Sequence, residues 1–200
     1  MVTTFRTPAV LAASFCVMAF SPQQPGATTE RHKERRVPEA VACTLNGSGT
    51  FADKANPNQG LTSLTPRTVD VTASSEGSCQ DLRPDKSATG GHSIVKRSVT
   101  ATGSMTNSTC VLANGNLTID VTWTLDDNST VKGSNTLTIA NGNFLKPVPG
   151  TGKGVSGLLS GVSIQTNMVM TDVAADTAAC NSTEGLKKYS YTIQVDVLQS

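Results

Sequence analysis

Few side chains in this 200-residue sequence are equipped to move protons at neutral pH, because it contains only two histidines, His32 and His92. His32 falls in the charge-dense run Arg31-His32-Lys33-Glu34-Arg35-Arg36, and His92 follows Gly90-Gly91 at the start of a strand-like segment. His92 therefore reads as an exposed loop histidine, and the abundant Ser and Thr lack an imidazole base that would make one of them a nucleophile. Asp120, Asp172 and Asp196 are candidates for a pair of carboxylates hydrolysing a glycosidic bond, but that chemistry needs two of them within about 5–9.5 Å, which no sequence spacing supplies. Asp126-Asp127-Asn128-Ser129-Thr130 is rich in oxygen ligands, yet it lacks the alternating ligands and central glycine of a calcium loop and reads as a polar hairpin turn.

Gly152-Lys153-Gly154-Val155-Ser156-Gly157 matches G-x-G-x-x-G, and Pro149-Gly150-Thr151-Gly152-Lys153 resembles a phosphate loop. Pro147 stands where that loop needs glycine, Gly154 stands where it needs Ser or Thr, and no helix follows to aim its amides at phosphate. The glycines are expected to form a flexible loop entering a strand. No catalytic residue, cofactor or metal ligand is assigned, and an enzymatic role is the weaker expectation.

The cysteines carry a clearer message. Residues 8–20 are a short apolar run behind Arg6, followed by Ser21-Pro22-Gln23-Gln24-Pro25-Gly26-Ala27, the layout of a secretory leader cleaved near Ala27. Cys16 leaves with it, since the bulky Phe15 is unsuited to a lipid-attachment site. Cys43, Cys79, Cys110 and Cys180 remain, without any C-x-x-C spacing, so an exported chain is expected to oxidise them into two disulfides. Three pairings are open; Cys43 with Cys79 and Cys110 with Cys180 is favoured because it leaves the bridges independent. The formal charge of +1 recruits no polyanion, which argues against nucleic acid, and no later segment is apolar and long enough for stable membrane insertion. Five Asn-x-Ser/Thr sites, at Asn46, Asn107, Asn116, Asn128 and Asn181, matter only in a host that glycosylates exported chains.

Residues 28–40 read as a charged, solvated tether, and residues 41–200 as one all-β domain. Leu117, Ile119, Val121, Trp123 and Leu125 alternate with Thr118, Asp120, Thr122 and Thr124, and Tyr189, Tyr191, Ile193, Val195 and Val197 alternate with polar neighbours in the same way. These are strands with one buried face, and Trp123 belongs to the core rather than to a sugar platform. Weaker alternation at 41–45, 68–73, 95–101, 131–139 and 162–170 brings the expected total to about seven to nine strands. Ala-Asn-Gly-Asn at 113–116 and again at 140–143 is expected to make tight hairpin turns. No helical stripe exceeds about two turns, so the strands must be antiparallel, in a β-sandwich or closed β-barrel.

The order Cys110, Trp123, Cys180 echoes immunoglobulin domains, an alternative sandwich weakened by Ala178 at the place of the usual tyrosine. A closer likeness lies in Cys43-Thr44-Leu45-Asn46-Gly47-Ser48-Gly49, Cys79 after a Thr/Val strand, Cys110 before Ala113-Asn114-Gly115, the Thr122-Trp123 strand, and Cys180 before Gly185-Leu186. This layout resembles small secreted actinobacterial β-proteins with four cysteines. The resemblance implies an extracellular barrel or sandwich with two disulfides and carries over no catalytic residue. The expected role is that of a secreted binding or surface module for a wall polymer, carbohydrate or protein, with a carbohydrate-active hydrolase as the alternative.

Overall fold

Period-two alternation runs through eight strands in the computed structural model of the chain, which describes residues 39–198. The expected leader, its Cys16 and residues 28–38 of the expected tether lie outside the described residues. The strands are β1 (Glu39–Asp53), β2 (Arg67–Asp81), β3 (Ile94–Ser108), β4 (Ala113–Leu125), β5 (Thr130–Gly142), β6 (Val148–Gly157), β7 (Ser163–Met170) and β8 (Lys188–Leu198), with one helix, α1 (Val173–Cys180), before β8. Each pairs antiparallel with its sequence neighbours, and β1 also pairs with β8, so the sheet closes into an up-and-down barrel. Closure satisfies both edge strands at once.

This result selects the barrel from the two expected architectures and overturns the immunoglobulin-like alternative. A single sheet wraps around the core, and Cys110–Cys180 ties the β3–β4 connection to the end of α1 instead of spanning two sheets. The other bridge, Cys43–Cys79, joins residues directly opposite each other on β1 and β2, so both favoured pairings are present.

Two local expectations fail for the same reason: backbone contact across a closed wall outweighs turn propensity. Gly152 and Gly154 belong to β6, not to a flexible loop, and a Cβ on Gly152 would lie 2.2 Å from the Thr136 carbonyl oxygen of β5. Neither Asn-Gly pair makes a two-residue hairpin. Gly142 closes β5 opposite Ala113 at the start of β4, and Asn141 N–H donates to the Asn114 side chain at 2.8 Å, so the two repeats lie side by side. The tight β4–β5 turn is formed instead by the polar run after Leu125, where Asn128 takes a φ of 66°. The barrel begins at Glu39, two residues before the expected boundary.

Inward positions hold the apolar core: Leu117, Ile119, Val121, Trp123 and Leu125 on β4, and Tyr189, Tyr191, Val195 and Val197 on β8, are all buried. The alternate β4 side chains, Asn116, Thr118, Asp120, Thr122 and Thr124, give the outside a polar surface. At the α1 end the lumen is filled by aromatic rings, with Phe51 stacked on Tyr189 at 4.5 Å and tilted against Phe144 at 5.1 Å. Tyr189 and Tyr191 fit because they lie over Gly49 and Gly47 of β1, where a Cβ would approach the ring carbons to 2.4 and 2.8 Å.

The disulfides close segments of 36 and 70 residues, so each restricts the unfolded chain by about 4 kcal/mol. Replacing Cys110 and Cys180 together by Ser is expected to lower unfolding free energy by that amount in urea titrations, and the Cys43/Cys79 double replacement by a similar amount.

Candidate functional site

β3 carries the one charged side chain among the described residues that line the lumen cavity. The β3–β4 register shifts between Ile94 and Lys96, so Ile94 and Arg97 are buried while Val95 and Lys96 face out. From Arg97 onward strict alternation sets Arg97, Val99, Ala101 and Met105 along one inward face. The register pairs Arg97 with Trp123, and its guanidinium lies 4.9 Å from the centroid of that ring.

Arg97 is 3% exposed. The Asn135 amide, oriented so that its nitrogen donates to the Ser134 carbonyl at 2.9 Å, accepts from Arg97 Nη2 at 3.0 Å. Nε and Nη1 have no partner, and among the described residues no carboxylate forms a salt bridge with Arg97. Burial lowers its pKa to about 10, which leaves the group charged at neutral pH. Desolvating such an ion costs several kcal/mol. A desolvated cation–π contact returns about 2 kcal/mol and a charge-assisted hydrogen bond about 1.5–3 kcal/mol, so the two idle donors leave the site under-compensated. Ser75, on β2 and diagonal to Arg97 in the register, also has a buried hydroxyl without a partner.

Between this polar layer and the aromatic cluster lies a cavity of about 60 Å³, walled by Leu45, Val99, Ala101, Leu117, Leu137 and Ile164 among others. Arg97, Ser75 and Asn135 line it together with Phe144, Tyr189 and Tyr191. The arrangement can desolvate a small apolar body and offer it a few fixed polar groups, the usual composition of a ligand pocket.

The strand ends below Arg97 are held by a buried ion pair. Arg83 donates from Nε to Asp81 Oδ1 at 2.9 Å and from Nη2 to Asp81 Oδ2 at 2.8 Å, and the Ile94 N–H donates to Asp81 Oδ2 at 2.9 Å. Burial by itself would raise the Asp81 pKa, but the bonds from Arg83 and the Ile94 N–H outweigh it and hold the carboxyl below its ordinary value.

The residues singled out in the sequence are mostly scattered. Asp120 lies on the outside of β4 and Asp196 on the outside of β8, four strands apart around an eight-strand ring, so they do not form a pair. Asp172 caps α1, accepting from the Ala175 N–H at 3.1 Å. It shares an open groove with Asp176, whose buried Oδ2 has no partner and whose pKa is raised by burial and by the Asp172 charge. His92 is half-exposed, as expected of a loop histidine, and reaches Asp126 at 2.7 Å and Asp127 at 3.4 Å. Together with the Ser93 N–H donating to Asp126 at 3.1 Å, these contacts staple the β2–β3 connection to the β4–β5 turn. The three side chains offer metal-ligating atoms within 4.8 Å of one another, but the exposed network is also explained as a surface hydrogen-bond cluster.

Comparison with protein-family models, curated proteins and solved structures finds no match for this chain. The site therefore rests on its own geometry. Sequence reasoning passed over Arg97, although the shared parity of Arg97, Val99 and Ala101 on a strand was the available signal that it points inward.

Asp81→Asn should cost about 3–5 kcal/mol at pH 7 by leaving Arg83 buried without its counter-charge. Because the folded pKa of Asp81 is depressed, its contribution is complete above the unfolded value of about 4 and disappears as pH falls through the folded one. The difference between variant and wild type in denaturant titrations should therefore shrink below about pH 4. Asp176 has the opposite sign: ionisation opposes folding above its raised pKa, so Asp176→Asn should raise the melting temperature at pH 7 and lose that advantage as the medium is acidified.

Proposed function

We propose that this chain is a secreted, non-enzymatic binding protein whose ligand site is the interior of the barrel. The observation that carries the reading is the apolar interior cavity, bounded by the Arg97 layer and the aromatic cluster in a wall closed by β1–β8 pairing. An eight-stranded barrel has an interior suited to one small ligand when side chains do not fill it. A small molecule therefore fits better than the broader range expected from the sequence, because a wall polymer, polysaccharide or folded partner would have to meet the loops outside.

Export is supported by the oxidised cysteine pairs and by the resemblance of the four-cysteine layout to small secreted actinobacterial proteins. Among the described residues no helix is long and apolar enough to cross a membrane. The outward polar and inward apolar faces are the reverse of a lipid-embedded barrel, which favours a protein surrounded by water. The separation of Asp120 from Asp196 weighs against the hydrolase alternative.

Protein secreted by its own host should carry a small molecule near one equivalent, recovered by organic extraction and mass spectrometry. Ala101→Leu, which adds three carbons to the cavity wall, should be purified without it while remaining folded. Absence of any extractable molecule, together with no rise in melting temperature across a library of small apolar metabolites, would refute the interior site.

A further inference from the structure

The polar layer of the cavity contains donors without an acceptor. Arg97 has idle N–H groups on Nε and Nη1, Asn135 already accepts from Nη2, and no described carboxylate comes to the guanidinium. Apart from Thr136 and Thr166 the rest of the wall is aliphatic and aromatic, so a ligand completing this site must bring the missing negative charge on one end and present hydrocarbon elsewhere.

From this geometry we infer that the barrel binds a small aliphatic carboxylate, its head group accepting hydrogen bonds from Arg97 and its chain lying along the cavity toward the Phe144 and Tyr189 rings. The inference rests on the interior-site reading and specifies its ligand class. Ser75, inward and diagonal to Arg97, lies beside Tyr191 and is placed to turn its hydroxyl toward the head group. Trp123, beneath the guanidinium, fixes the plane from which the charge is presented. At about 60 Å³ the cavity is smaller than even butanoate needs, so the unbranched Met105 and Met168 in its wall must shift to admit any of these chains, and affinity should favour the short ones.

The test is calorimetric titration of the purified secreted chain, first unfolded, stripped of any bound molecule by organic extraction and refolded with its disulfides intact, with straight-chain carboxylates from butanoate to octanoate, each compared with the 1-alkanol of equal length. The carboxylate is expected to bind at least tenfold more tightly than its alcohol. In Arg97→Met the preference should vanish or reverse while the alcohol still binds. Arg97→Lys, which keeps the charge, should retain part of the preference even if the Met variant folds poorly. Equal affinity of carboxylate and alcohol for the wild type would overturn the carboxylate assignment and leave the interior site standing. Binding of neither series would defeat both.

Discussion

Pairing of β1 with β8 is the constraint on which the molecule depends. Once the first and last strands share a ladder from Glu39 to Thr50, every inward side chain points into one enclosed volume. Inward positions must then fill that volume or leave a defined space within it. This barrel does both: aromatic rings pack the α1 end, the Arg97–Trp123 layer occupies the opposite side, and the cavity lies between them.

Closure also explains the placement of glycine and cysteine. Tyrosines of β8 can turn inward only because β1 offers Gly47 and Gly49 beneath them, and Gly152 and Gly157 of β6 lie where a Cβ would meet the β5 backbone. The Cys43–Cys79 bridge fastens β1 to β2 within the ladder, whereas Cys110–Cys180 fastens a connection to α1 at the aromatic end. One bridge thus reinforces the wall and the other ties down the elements beyond it.

The buried arginine is the feature least explained by folding. Asp81 and Arg83 show how this protein satisfies a buried charge, with two guanidinium bonds and two backbone donors converging on one carboxylate. Arg97 has one amide oxygen and an aromatic face instead. The contrast within one domain locates unmet electrostatic demand beside the cavity rather than at the His92 cluster, whose side chains are exposed.

Much of the wall was legible in the chain, because a strand with one buried face must alternate and β4 and β8 do so without interruption. Four cysteines without C-x-x-C spacing likewise pointed to two bridges. The same local information could not separate sandwich from barrel, since period two is identical in both and only the distant pairing of Glu39–Thr50 with β8 closes the ring. It misread Gly152 and Gly154 and the Asn-Gly pairs, whose conformations are imposed by neighbouring strands rather than by turn preference. Sequence alone determined a period and a set of oxidisable thiols. Tertiary structure decided which residues share the lumen, and so gave Arg97 its isolation, because the burial and pairing of a charge depend on strands far apart in the chain.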